Sequence, residues 1–246
     1  MTFSDDEIER YARHLVLAEI GGPGQQRLKA ARVGLIGLGG VGGPAALYLA
    51  AAGLGVLRLI DHDAVALSNL QRQIAFAAAD IGRSKVAAAA ETLTALNRHV
   101  RIEPVTERLT SDNAARLLSG CDVVIDGTDD FATRFAVNDA CVAADVPLVS
   151  GALGRWSGQV GVFRGRPCYR CLTPAAPPDA ETCARVGVVG ALAGIVGSMA
   201  ALEAVKLVTG AGVALTGRLL IYDGLAGTAR TVIVGADPGC PVCSES

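Results

Sequence analysis

Short apolar runs alternate with longer segments whose apolar positions recur every three or four residues, from about residue 31 to residue 153. The runs "RVGLIG", "VLRLID", "RIEPV", "CDVVIDG" and "PLVSGA" read as strands. Helical patterns follow Gly42, run through "SKVAAAAETLTALN", and begin at Ser111 and at Phe131. This alternation predicts βαβ units: a Rossmann-like, mostly parallel α/β sheet with helices on both faces. Ahead of it, Ser4 with Glu7 three positions on is a capping-box pattern that opens an amphipathic helix carrying Arg10, Arg13 and His14. A second short helix is expected from Pro23. Beyond Arg155 the period shortens, and "WSGQVGVFRG", "RLLIYDG" and "TARTVIV" predict antiparallel strands that continue the fold as a C-terminal lobe. The proline-rich stretch "TPAAPPDAETCARVG" between them reads as a mobile loop. The expected organisation is one unit over 1–246, with N-terminal helices over 1–30, the Rossmann-like part over 31–153, and the antiparallel lobe over 154–246 containing a crossover loop at 173–187.

The first strand-to-helix junction, "GLIGLGGVGG", sets Gly37, Gly39 and Gly42 in the G-x-G-x-x-G spacing, where backbone N–H groups and a helix dipole can receive phosphate. Alone this is a weak signal, because glycines also serve tight strand-to-helix packing. The next strand ends in Asp61, an acid placed to accept from ribose hydroxyls, and the pair points to a nucleotide site. NAD and ATP both satisfy it.

Composition narrows the classes. Of 246 residues 51% are apolar and the formal net charge is −2, so the chain buries a large core and lacks the basic face that general nucleic-acid binding needs. The most apolar run, "VGVVGALAGIVGSMAALEAVKLV", is interrupted by Glu203 and Lys206, and reads as a buried helix rather than a membrane span. Its Gly190, Gly194 and Gly197 are expected to permit close helix approach, within the chain or at a dimer contact. "MTFSDDEIERYARHL" carries no basic start with an apolar core, so a cytoplasmic protein is expected.

The segment "SNLQRQ" discriminates between nucleotides. Asn69, Arg72 and Gln73 follow Asp61 closely enough to line the same crevice, Lys85 opens the next helix, and Asp126, Asp129 and Asp130 end a later strand where a Mg²⁺-bound carboxylate belongs. Singly, each charge reads as solvated surface, or as a helix cap in the case of Asp129. Together they suit cleavage of a metal-bound triphosphate, whereas hydride transfer gives no reason for an arginine and a lysine there.

Seven cysteines in a cytoplasmic chain point away from disulfides. Cys168 and Cys171 with Cys240 and Cys243 form two C-x-x-C pairs, a closed four-thiolate set suited to structural Zn²⁺. Cys121 and Cys141 read as core thiols. Cys183, in the proline-rich loop beside Arg185, is either a mobile reactive thiol or an unimportant loop residue.

In order and over nearly the whole chain, "RYARH", "GLGGVGGPAALYLAAAGLG", "DHDAVALSNLQRQ", "IGRSKV", "DGTDDFATRFAVNDAC", "PLVSGA" and "CYRC…CPVC" resemble the ThiF/MoeB/HesA family of ubiquitin-activating-like adenylyltransferases. The resemblance implies use of Mg-ATP to adenylate the C-terminal glycine of a ubiquitin-like sulfur-carrier protein, in thiamine or molybdenum-cofactor biosynthesis. It implies ribose binding by Asp61 and phosphate binding by Gly40 with Gly37, Gly39 and Gly42. Ser68, Asn69, Leu70, Gln71, Arg72 and Gln73 with Lys85 would surround the triphosphate, and Asp129 with Asp130 would complete the site, Asp129 holding Mg²⁺. Arg13 matches an arginine that reaches the other subunit's ATP in a homodimer, and Cys183 matches a cysteine engaged in sulfur transfer. Two positions depart from the pattern. Asp130 stands where Asn or Ser is usual, leaving open whether its charge aids the metal or opposes the nucleotide, and His14 replaces a common Gln. The attacking carboxylate, with a pKa near 3.5, is already ionised at neutral pH, so His14, His62 and His99 are expected to be structural or on the surface.

Three other readings stay open: a nicotinamide-dependent oxidoreductase, a nucleotide-binding scaffold without turnover, and a tRNA-modifying relative, the last weakened by the missing basic patch. A separate sulfurtransferase is the expected sulfur donor.

Overall fold

The computed structural model describes residues 2–177 and 187–244. Five strands, β1 (Arg32–Ile36), β2 (Val56–Ile60), β3 (Arg101–Val105), β4 (Val123–Asp126) and β5 (Leu148–Gly154), pair in parallel. Three more, β6 (Ser157–Phe163), β7 (Arg218–Asp223) and β8 (Thr228–Ile233), add antiparallel. The order is β3-β2-β1-β4-β5-β6-β7-β8 in one continuous sheet. The antiparallel strands expected beyond Arg155 are therefore fused to the parallel core, because β6 pairs with β5 from Leu148 to Gly154.

The helices are α1 (Asp5–Arg10), α2 (Ala12–Leu15), α3 (Gly21–Ala30), α4 (Gly42–Ala51), α5 (Lys85–Leu96), α6 (Ala114–Leu118), α7 (Phe131–Ala143), α8 (Tyr169–Leu172) and α9 (Gly190–Thr209). Alternate strand residues face opposite layers. Val33, Leu35, Leu57, Val123 and Ile125 pack in a core with α4, α5 and α9, while Ile36, Ile60, Val124 and Leu148 pack with α6 and α7. Burial on both faces explains the near-continuous apolar strand runs.

The capping box forms, with Ser4 and Glu7 bonding each other's backbone amides. The single N-terminal helix expected from it does not: the chain turns at Tyr11, whose buried ring rests against Gly53 and whose hydroxyl accepts from Asn97 Nδ2 at 2.9 Å. Anchoring this aromatic outweighs the helical continuation. Helix α3 starts at Gly21, before Pro23, and α6 starts at Ala114 because Asn113 folds back to accept from Thr110 N at 2.8 Å.

Helix α9 is long and apolar enough to cross a membrane by length and composition. Here it packs inside the fold against α3, α4, β5 and β6. Its buried Glu203 bonds Lys206 Nζ at 2.6 Å and Leu215 N at 2.8 Å. A methyl group at Gly197 would run into the Val41 carbonyl and Pro44, and one at Gly190 into the Gln71 carbonyl. Gly194 faces open space among the described residues, which give it no close approach.

Where the chain re-enters the described fold, Arg155 N donates to Gly187 O at 3.0 Å and Arg155 O accepts from Val189 N at 3.2 Å. Arg155 itself is left-handed, with φ of 51°.

Candidate functional site

Crossovers leave β1 in one direction and β4 in the other, so their carboxyl ends diverge and open a crevice. The crevice encloses about 470 Å³, within the range of small-molecule sites. Its lining brings together Gly37, Gly39, Gly40, Asp61, Asn69, Arg72, Gln73, Lys85, Asp129 and Asp130. Gly37, with φ of +82°, makes the sharp exit from β1, and a side chain at Gly42 would strike the Gly37 carbonyl. Gly42 thus shapes the turn without lining the crevice.

Asp61 is the hub of one bank. Its Oδ2 accepts from Leu38 N at 2.7 Å and its Oδ1 from Asp63 N at 2.8 Å, tying the end of β2 to the glycine turn. A carboxylate has about four acceptor sites, so two amides leave capacity for ribose hydroxyls. Lys85, buried at the start of α5, holds Asp63 Oδ2 at 2.9 Å and stands 4.0 Å from Asp61. Burial disfavours ionisation of Asp63, yet its bond to Lys85 holds its carboxyl below the usual range.

A 3-10 turn over Leu67–Asn69 opens the SNLQRQ segment, with Asn69 Oδ1 accepting from Ala66 N at 3.1 Å, and a further turn follows in which Arg72 N and Gln73 N donate to Asn69 O. Arg72 bonds only the Ser68 carbonyl, at 3.0 Å, so its charge has no acidic partner among the described residues. Gln73 is buried and its Oε1 has no hydrogen-bond partner there. Ser68, Leu70 and Gln71 lie outside the lining; Leu70 packs on the core and Gln71 is exposed.

On the opposite bank, Asp129 is exposed with no hydrogen bond or ion pair among the described residues. Asp130, not Asp129, caps α7: its Oδ2 accepts from Thr133 N at 3.1 Å and Thr133 Oγ1 at 2.6 Å. Asp126 is spent below the crevice. Its Oδ1 accepts from Thr128, and its Oδ2 pairs with Arg134 at 3.2 Å.

Sequence reasoning passed over Arg134. It is buried, lines the crevice, and bonds Ser150 Oγ and the carbonyls of Thr128 and Gly151, joining the ends of β4 and β5. The signal was a charge inside an otherwise apolar helical stretch just after an acidic strand end. Arg134→Met is expected to cost roughly 3–5 kcal/mol in a denaturant melt by stranding buried Asp126, with a smaller loss for Arg134→Met combined with Asp126→Asn.

Arg13 is exposed on α2, outside the crevice of its own chain. His14 Nδ1 pairs with buried Gln25 at 2.9 Å, and Gln25 Nε2 donates to Ala52 O, so His14 is structural. His99 sits 2.6 Å from Asp6, and His62 lies at the crevice wall 3.4 Å from Asp63. Cys183 lies outside the described residues, as do 178–186 of the expected crossover loop.

The four paired cysteines do meet. Cys168 and Cys240 sulfurs are 3.6 Å apart, Cys171 and Cys243 3.3 Å, and all four lie within 4.8 Å of one another. A tetrahedron with Zn–S bonds of about 2.3 Å needs sulfurs about 3.8 Å apart, so the set fits the ion. Asn138 braces it, its Nδ2 3.6 Å from Cys168 Sγ and its Oδ1 accepting from Tyr169 N. Cys121 and Cys141 are buried in the core; burial pushes the Cys141 thiol up to about 12, which leaves it inert.

Comparison with known proteins places this geometry. A Thermus thermophilus sulfur carrier protein adenylyltransferase is 43% identical over 254 residues, covering 100% of this chain and 94% of that protein. The molybdopterin-synthase adenylyltransferase of Escherichia coli is 43% identical, covering 98% of each. Among solved structures, E. coli MccB with MccA-N7isoASN superposes with a TM-score of 0.86 at 20% identity, covering 99% of this chain and 76% of that one, which speaks to the fold alone. The ThiF family model matches residues 11–242, and with a glycine turn, a crevice lined by cations and carboxylates, and a cysteine cluster in one fold, the chain belongs to the ThiF family.

Proposed function

We propose that this protein is an ATP-dependent adenylyltransferase that activates the C-terminal glycine carboxylate of a ubiquitin-like sulfur-carrier protein of the ThiS or MoaD type. The carboxylate oxygen bonds the α-phosphorus of ATP, the bond to the β-phosphate oxygen breaks, and acyl-adenylate and pyrophosphate result. One observation carries the reading: Arg72 and Asp129 line the same glycine-turn crevice with no charge partner among the described residues. Unspent charges of both signs at one site match an anionic nucleotide and its cation.

Within this reading each group has a task. Asp61 receives the ribose, while the amides around Gly40 and the cations Arg72 and Lys85 bind phosphate. Positioning two anions and neutralising their repulsion is the main catalytic demand, and no general base is required. Asp129 is the carboxylate free to hold Mg²⁺, which when bound supplies further charge neutralisation. Gln73, with its orphaned carboxamide, has bonding capacity to offer a ligand. Arg13 points to a homodimer in which each subunit completes its neighbour's site. Exposed Val16 and Leu17 beside it support that reading. The carrier serves thiamine or molybdenum-cofactor biosynthesis, and a separate sulfurtransferase supplies the sulfur.

The test is exchange of labelled pyrophosphate into ATP with carriers ending in Gly-Gly. Carrier-dependent exchange is expected. Its absence with every ubiquitin-like carrier of the source organism, together with thermal stabilisation by NAD and not by MgATP, would replace the reading with a nicotinamide enzyme.

A further inference from the structure

The lip of the crevice carries two neighbouring carboxylates, Asp129 and Asp130, with different surroundings. Asp129 has no partner among the described residues. Asp130 has three donors on one oxygen: the amide and hydroxyl of Thr133, and Arg108 Nη2 at 3.3 Å. Three donors converging on one oxygen suit an ionised carboxylate, which accepts and does not donate.

Arg108 arrives from outside the β4–α7 bank, on the loop between β3 and α6. It lines the crevice, and its charge also reaches the other bank, adding to the larger effects of Lys85 and His62 on Asp63. The crevice wall holds five carboxylates against four cations; Glu107 is paired with Arg116 outside the wall at 2.6 Å, while Lys85 is committed to Asp63 and Arg134 to Asp126 beneath it. A second unscreened carboxylate beside Asp129 would repel a triphosphate. The cap alone does not demand it, since Asn caps helices as well as Asp does.

Resting on the adenylation reading, we infer that Arg108 is a positioning residue for nucleotide binding: it neutralises Asp130 so that Asp129 alone presents negative charge to the metal-bound triphosphate. Arg108 and Asp130 then form a coupled pair in which the arginine matters only because the aspartate is there. As an exposed pair, 58% and 40% open, it contributes little to folding but acts on a ligand bound against it.

The experiment is calorimetric titration of MgATP, without carrier, into the full chain, Arg108→Leu, Asp130→Asn and the double variant, each with a thermal melt. Arg108→Leu is expected to weaken MgATP binding about 3- to 10-fold with melting unchanged, and Arg108→Leu/Asp130→Asn to return within about 2-fold of the parent. High salt is expected to shrink the difference. Unaltered affinity in Arg108→Leu, or failure of Asp130→Asn to rescue it, would overturn the coupling while leaving adenylation intact. A parent chain that binds no MgATP would overturn both.

Discussion

Arg72→Ala and Asp129→Ala are each expected to lower carrier-dependent ATP–pyrophosphate exchange by at least about 100-fold, as removal of a charge that stabilises a developing anion does. Neither side chain holds the fold together. Among the described residues Arg72 bonds one backbone carbonyl of its own turn and Asp129 bonds nothing, so both variants should melt within about 0.5 kcal/mol of the parent. That combination of intact folding and lost exchange is the signature of groups kept for a ligand. Lys85→Ala supplies the contrast: Lys85 is buried and paired with Asp63, so its loss should lower stability as well. If both Arg72→Ala and Asp129→Ala retain exchange, the crevice is not where the chemistry happens.

The second large effect concerns the cysteine cluster. Purified protein is expected to carry one zinc ion per chain by elemental analysis, and Cys240→Ser to carry almost none. Cys240 is prepared for the role. Burial opposes its ionisation, but the backbone amides of Cys243 and Val242 outweigh burial and bring its thiol down to about 7. Because binding the ion is coupled to ordering its ligands, Cys240→Ser or prolonged chelation should cost roughly 3–5 kcal/mol and about 10 °C in melting temperature. A metal-free chain whose melting is indifferent to chelator would remove the ion from the account.

Much of this was legible in the sequence because it is written in local chemistry. Strand runs, the glycine turn, the acid at the end of β2 and the two C-x-x-C pairs each depend on residues close together in the chain, and all four are where the patterning puts them. What escaped depends on contacts across the fold. Tyr11 breaks a well-capped helix because Asn97 and Gly53, far along the chain, receive it. Arg134 looked like one more helical charge until β4 and β5 brought Asp126, Ser150 and Gly151 around it. The capping role alternately assigned to Asp129 belongs to Asp130, a difference of one residue that the dihedral angles of the helix start decide. Of the SNLQRQ stretch, the 3-10 turn ending at Asn69 and the turn after it bring Asn69, Arg72 and Gln73 to the crevice and leave Ser68, Leu70 and Gln71 out, a selection that sequence order could not make.

The chain between Cys171 and Gly187 is tethered at both exits. One exit is gripped by the clasp of four sulfurs, which also fastens the C-terminal residues, and the other by the backbone bonds that Arg155 makes to Gly187 and Val189. The two holds would fail in different places: losing the sulfur clasp would loosen α8 and the C-terminal residues together, whereas losing the Arg155 bonds would release only the start of α9 from the turn between β5 and β6.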